Sequence, residues 1–128
     1  MFRMLSLYLY LENLKSRNRR IEMKPVLSTE EGTSKAELME LAGEFVASLA
    51  EARSPKSVLV LCGFGNNGGD GWVAADILSQ KGSDVHVVTP VDPDEIPSAL
   101  ARHVARRTAG RDVAVHVGPS RDELVELI

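Results

Sequence analysis

Six residues, Ser57-Val58-Leu59-Val60-Leu61-Cys62, run β-branched and apolar with no polar alternation, and the chain then enters a turn with five glycines in nine residues, Gly63-Phe64-Gly65-Asn66-Asn67-Gly68-Gly69-Asp70-Gly71. A strand without a polar face has to be covered on both sides, which predicts a central strand of a parallel sheet. A helix from about Asp70 to Gln80 is expected next, ended by Gly82 in a left-handed conformation. Asp84 to Thr89 reads as a second strand and the Pro/Asp-rich stretch Pro90 to Pro97 as a loop. A helix over about Ser98 to Thr108, closed by Gly110, leads to a third strand at Asp112 to Val117. Ser120-Arg121-Asp122-Glu123 then has capping-box spacing and opens another helix. Strand and helix in strict alternation require right-handed crossovers. The expected fold is α/β, a Rossmann-like three-layer sandwich whose parallel central sheet has about three strands in this chain.

A helix also precedes the first strand. Ser34-Lys35-Ala36-Glu37 is a capping box, and Leu38, Leu41, Ala42, Phe45, Val46 and Leu49 recur at helical spacing, giving one apolar stripe expected to pack inward. Ser54-Pro55 ends the segment. Further upstream the character changes. Residues 1 to 24 hold six basic residues (Arg3, Lys15, Arg17, Arg19, Arg20, Lys24) against two acidic ones (Glu12, Glu22), a charge of +4, so with −3 overall the remainder carries −7. The largely apolar Met4 to Leu11 comes before the basic run, the reverse of a secretory signal. Residues 1–23 therefore read as a basic leader, helical or disordered, with Met23 a plausible alternative start; the arginine content would also suit a mitochondrial presequence. Residues 24–128 form the domain.

Composition narrows the function classes. A chain of 128 residues with 44% hydrophobic and 26% charged residues suits one globular domain and excludes a disordered tail. A net charge of −3 gives no support to nucleic-acid binding. Cys62, the single cysteine, cannot form an internal disulfide, which favours a reducing, cytoplasmic setting; no activating histidine is near in sequence, so a buried thiol is expected. No apolar run reaches the roughly 18 residues of a membrane span.

The chemistry is expected in the glycine-rich turn, because open parallel sheets bind ligands beyond the carboxyl ends of their strands. Gly63, Gly65 and Gly68 satisfy the dinucleotide pattern G-x-G-x-x-G. Two features fit that pattern poorly. The second strand ends at Thr89-Pro90 with no acidic residue for ribose hydroxyls, and Asp70 places a carboxylate at the expected helix start, where it would repel a pyrophosphate or act only as an N-cap. Asn66, Asn67 and Asp70 instead offer hard oxygen ligands and amide donors for hydroxyl-bearing ligands or a hard cation.

The run Cys62 to Gly71 resembles the G-x-G-N-N-G-G-D-G loop of the YjeF N-terminal domain family, the NAD(P)HX epimerases, and Glu37-Leu38-Met39-Glu40-Leu41-Ala42-Gly43 is similar to that family's L-M-E-x-A-G helix. The resemblance covers about Lys24 to Ile128. It implies an isomerase of nicotinamide cofactor repair that interconverts the R and S hydrates of NADH and NADPH ahead of a stereospecific dehydratase. Carried over, Asn66, Asn67, Gly68, Gly69 and Asp70 would contact the hydrated dinucleotide and Asn67 would help bind a potassium ion; a cation beside Asp70 would offset its repulsion of phosphates. Implied partners are a fused or separate ADP/ATP-dependent dehydratase and a second copy in a homodimer.

The sequence departs from the family pattern in two places. Only Ser28-Thr29-Glu30-Glu31-Gly32 separates Pro25 to Leu27 from Ser34, so the helix the family carries before L-M-E-x-A-G is expected to be shortened or absent. The family's catalytic aspartate and remaining potassium ligands would fall beyond Ile128, so the expectation is the N-terminal, ligand-binding part of an epimerase domain. The alternatives are a non-catalytic nucleotide-binding or protein-interaction module of the same fold, and an NAD-dependent oxidoreductase. His86, His103 and His116 match no ligand spacing, Trp72 reads as helix-to-sheet packing, and Arg102, Arg106 and Arg107 read as a solvated basic face.

Overall fold

A computed structural model describes residues 34–128; the leader and the segment where a helix is expected to be shortened or absent lie outside these residues. The described chain runs α1 (Lys35–Glu51), β1 (Ser57–Leu61), α2 (Asn66–Gln80), β2 (Asp84–Thr89), a 3-10 turn (Pro93–Glu95), α3 (Ala99–Ala109), β3 (Ala114–Val117) and α4 (Arg121–Leu127). The three strands form one sheet in the order β1-β2-β3, and both pairings are parallel. Val58, Val60, Val85 and Val87 therefore share one face, with Val115 beside Val87, and α2 lies on that face. This is the Rossmann-like α/β arrangement expected from the alternation of elements.

Local signals set most boundaries. Both halves of the Ser34/Glu37 capping box form, the Ser34 hydroxyl accepting from the Glu37 amide at 3.1 Å and the Glu37 carboxylate accepting from the Ser34 amide at 3.2 Å. The Ser98 and Ser120 hydroxyls cap α3 and α4 by accepting from the Ala101 and Glu123 amides, so at Ser120 only the hydroxyl half of the expected capping box forms. Gly82, at φ 96°, takes the left-handed position beyond α2 that a side chain would resist.

Helix α2 is the centre of the core. Trp72, Val73 and Ala75 are fully buried, and Ala74 and Leu78 nearly so. A helix apolar on all sides is one enclosed on all sides, and each large side chain so buried contributes about 1.5 to 3 kcal/mol. Trp72 is buried in the core cluster that includes Val60, Val85 and Val87 of the sheet, and its carbonyl accepts a 3.0 Å hydrogen bond from the buried Thr108 hydroxyl of α3. On one side α2 meets α1 so closely that a Cβ on Gly43 would lie 2.3 Å from Val73. Polar contacts reinforce the same packing. Asp76 of α2, 4% exposed, pairs with Arg111 at 2.9 Å and Arg107 at 3.5 Å, while Arg107 Nη1 donates to Glu40 of α1 at 2.7 Å. The Glu40 hydrogen bond holds the Arg107 guanidinium in its charged form.

Four sequence expectations need correction. Strand β1 lies at an edge of the sheet formed by the described residues, where β2 is the central strand; the missing polar alternation of β1 goes with burial of both Leu59 and Val60. The inward face of α1 is Met39, Gly43, Val46 and Ala47, whereas Leu41 and Phe45 are 51% and 45% exposed. The close approach at Gly43 sets this rotation, because only the face without a side chain can reach α2. Helix α2 begins at Asn66, four residues before the expected start, and β3 begins at Ala114, two residues later than expected. Among the described residues, no helix is long and apolar enough to cross a membrane.

Candidate functional site at the end of the first strand

The ends of the three strands and the starts of α2 and α3 converge on one edge of the fold. Beyond β1 the ladder continues for one residue, Cys62 N donating to Val88 O at 2.9 Å. The chain then turns through exposed Gly63, Phe64 and Gly65, and Gly65 is the N-cap of α2 with no side chain to satisfy the helix. The first intrahelical bond runs from Gly69 N to Gly65 O at 3.2 Å. The amides of Asn66, Asn67 and Gly68 come before it and point out of the helix end, where the macrodipole favours anionic groups.

The structure separates the five residues expected to bind the ligand into two groups. Gly68 and Gly69 are buried; a side chain at Gly68 would strike backbone, and one at Gly69 would have to displace the end of the Met39 side chain. A Cβ on Gly68 would lie 2.3 Å from the Gly63 carbonyl oxygen, and one on Gly69 would lie 2.6 Å from the Met39 thioether. These glycines let the helix start close against the strand end and against α1. Asn66 and Asn67 are exposed, and Asn66 Oδ1 accepts a 2.6 Å hydrogen bond from the Ser98 hydroxyl at the start of α3.

Asp70 is one turn inside the helix and is not its N-cap, which corrects the sequence expectation. It is half-buried, and burial pushes its carboxyl from 3.8 up to about 7. Asp70 is therefore poised between charge states near neutral pH, and a cation beside it would favour the carboxylate. Burial likewise pushes the Cys62 thiol well up, leaving it a packed, unreactive group.

A cavity of about 460 Å³ opens next to the loop. Leu61, Cys62 and Gly63 line it after β1, Val88, Thr89 and Pro90 after β2, Gly118 and Pro119 after β3, and Leu124 from α4. Gly63 is the one residue of the turn that borders it, so the polar loop and the apolar cavity meet there. Sequence reading missed the cavity; the cue was Gly118, whose φ of 50° turns the chain after β3. Sequence spacing also failed to pair two histidines. His86 Nδ1 and His116 Nε2 are 2.9 Å apart across β2 and β3, on the side of the sheet away from Val85 and Val87. Among the described residues, no group of three or more His, Cys, Asp or Glu gathers as a metal site. Nor do the three arginines of α3 form a free basic face. Arg102 donates to Ile96 O, Arg106 to Asp94 and Arg107 to Glu40.

Known proteins resemble this chain in sequence and in fold. In sequence, the chain is 42% identical over 88 residues to the bifunctional NAD(P)H-hydrate repair enzyme Nnr of Thermofilum pendens, covering 67% of this chain and 17% of that protein. It is 38% identical over 88 residues to an NAD(P)H-hydrate epimerase of Cereibacter sphaeroides, covering 68% of this chain and 41% of that protein. With the Caenorhabditis elegans NAD(P)H-hydrate epimerase the identity is 51% over 65 residues, half of this chain and 28% of the relative. The crystal structure of yeast YNL200c matches with a TM-score of 0.67 and 26% identity, covering 98% of this chain and 51% of that one. The chain thus spans 17% to 41% of the length of these curated relatives. Residues 35–126, which include both the α1 motif and the loop, match the family described as YjeF-related protein N-terminus, and the chain belongs to that family.

Proposed function

We propose that this chain carries the ligand-binding part of an NAD(P)H-hydrate epimerase, the activity that interconverts the R and S hydrates of NADH and NADPH. The observation that carries the reading is the start of α2. Three amides without intrahelical partners and the exposed carboxamides of Asn66 and Asn67 stand together at the carboxyl end of β1, in a chain whose relatives are named for that activity. The amides would bind phosphate oxygens, the asparagines would bind hydroxyl and amide groups, and the cavity beside Gly63 has the apolar lining to exclude water from a ring.

A potassium ion fits the donor set. The side chain of Asn67 is exposed and makes no hydrogen bond among the described residues, so its oxygen is open, and Asp70 supplies a carboxyl whose charge a cation would stabilise. Asn67 would hold the ion with Asp70 nearby, and the bound charge would let phosphates and the Asp70 carboxylate occupy one site. The bifunctional name of the Thermofilum relative supports a dehydratase, fused or separate, as the consumer of the product. A homodimer and a cytoplasmic setting complete the proposal.

The test is binding of hydrated NADPH in potassium buffer, followed by thermal unfolding and by amide signals of the full chain. We expect a raised Tm and shifts concentrated at residues 65–71. No change in either measurement would overturn the reading. Tighter binding of intact NAD than of the hydrate would point to the oxidoreductase class instead.

A further inference from the structure

Ser98 performs two tasks with one hydroxyl. Its oxygen accepts from the Ala101 amide at 3.3 Å, capping α3, and the same hydroxyl reaches across the mouth of the site to Asn66 Oδ1 at 2.6 Å. The two residues are 32 positions apart and start different helices. Ser98 is itself well anchored. Ile96, two residues before it, is 1% exposed, and its carbonyl accepts a 2.9 Å hydrogen bond from Arg102 Nη1.

The donor and acceptor inventory favours one orientation of the Asn66 amide. Ala101 N–H occupies a lone pair of the Ser98 oxygen, so the hydroxyl proton is free to donate, and the acceptor it meets is the Asn66 carbonyl oxygen. Turning the amide over would set NH2 against the remaining lone pair of the hydroxyl and leave its proton to solvent, so the orientation with Oδ1 toward Ser98 is the one that pairs that proton within the protein. The Asn66 NH2 is therefore held away from Ser98, a donor added to the free amides of Asn66, Asn67 and Gly68.

We infer that Ser98 is a positioning residue of the ligand site, a latch between the starts of α3 and α2 that presents the Asn66 side chain as a donor to an acceptor-rich ligand. The ligand group it takes is a hydrogen-bond acceptor, such as the oxygen of a hydroxyl or amide group of the hydrated dinucleotide. This rests on the proposed function for the identity of the ligand, though not for the existence of the latch. Fixing the amide before binding removes part of the ordering cost that a free side chain would add, an effect of about 2- to 10-fold in affinity.

Two substitutions separate the latch from the cap. Ser98→Gly removes the hydroxyl, yet glycine is nearly as good as serine at an N-cap, so fold stability should hold. Ser98→Thr keeps both functions. In the ligand-free protein, side-chain ¹⁵N relaxation should show the Asn66 NH2 becoming more mobile in S98G and remaining ordered in S98T. The Kd for hydrated NADPH should rise about 2- to 10-fold in S98G and stay near wild type in S98T, with Tm close to wild type in both. An Asn66 side chain equally ordered in S98G and wild type would overturn the latch, as would an unchanged Kd in a protein that binds the hydrate. If the wild-type chain does not bind the hydrate at all, the proposed function falls, and the relaxation data alone decide the latch.

Discussion

Asp70 offers a direct measure of the electrostatics of the site. Among the described residues its side chain makes no hydrogen bond or ion pair, and burial alone raises its carboxyl from 3.8 to about 7. A carboxyl raised in this way binds its proton more tightly in the folded state. Its contribution to stability is therefore fully present below pH 3.8 and is lost as the pH rises through about 7. At about 1.36 kcal/mol per pH unit, the full interval would correspond to about 4 kcal/mol. Asp70 is only half-buried, however, and solvent screening reduces the expected effect to about 1 to 2 kcal/mol. Asp70→Asn is nearly isosteric and does not titrate. Urea unfolding of both proteins from pH 4 to pH 8 should show D70N gaining on wild type by that amount, because the other titrating groups cancel in the difference. A difference that stays flat with pH, or one in which wild type gains as pH rises, would refute the burial argument. Potassium and ligand should flatten the slope if the cation sits beside Asp70, since it would stabilise the carboxylate that burial disfavours.

Two further outcomes follow from the packing around α2. Gly68→Ala forces a Cβ to within 2.3 Å of the Gly63 carbonyl oxygen, a backbone atom that cannot step aside without moving the loop. It should lower stability by about 1 to 3 kcal/mol in urea unfolding and shift the amide signals of residues 63–69. Asp76→Asn leaves Arg107 and Arg111 without their shared carboxylate. Both arginines are partly exposed, so the loss should be about 1 to 3 kcal/mol, below that of breaking a fully buried pair, and should shrink at high salt.

Secondary structure was legible where a residue's own chemistry decides it. Ser34 with Glu37, Ser98, Ser120 and Gly82 all stand at helix ends as read, because caps and left-handed glycines act within one turn of the chain. The rotation of α1 was not legible. Leu38, Leu41, Phe45 and Leu49 give the stronger apolar stripe, yet the helix packs through Met39, Gly43, Val46 and Ala47. The deciding quantity is the distance between α1 and α2, which Gly43 permits and hydrophobicity does not report. His86 and His116 show the same limit, for their pairing depends on the register of β2 against β3. At the site, the asparagines could be read from their type and place in the turn, whereas Ser98 could not, since its role requires α3 to begin beside α2.

The earlier start of α2 changes what the glycine pattern means. With a helix beginning at Asp70, Gly63, Gly65 and Gly68 would form a loop wrapped around a pyrophosphate, and Asp70 would stand in its way. With a helix beginning at Asn66, Gly68 and Gly69 already lie in the first turn and face inward, onto the Gly63 carbonyl and Met39. Close approach of protein to protein then accounts for Gly68, whose Cβ would meet a backbone oxygen, without any ligand. The groups left facing outward are the two asparagine side chains and the amides at the helix start, with Asp70 a turn deeper and half-covered. That separation removes the conflict between carboxylate and phosphate without requiring the aspartate to be lost. The buried glycines thus serve the packing, with the Gly68 amide still at the helix end, and on the proposed function Asn67→Ala should impair binding at nearly unchanged stability while Gly68→Ala should impair both.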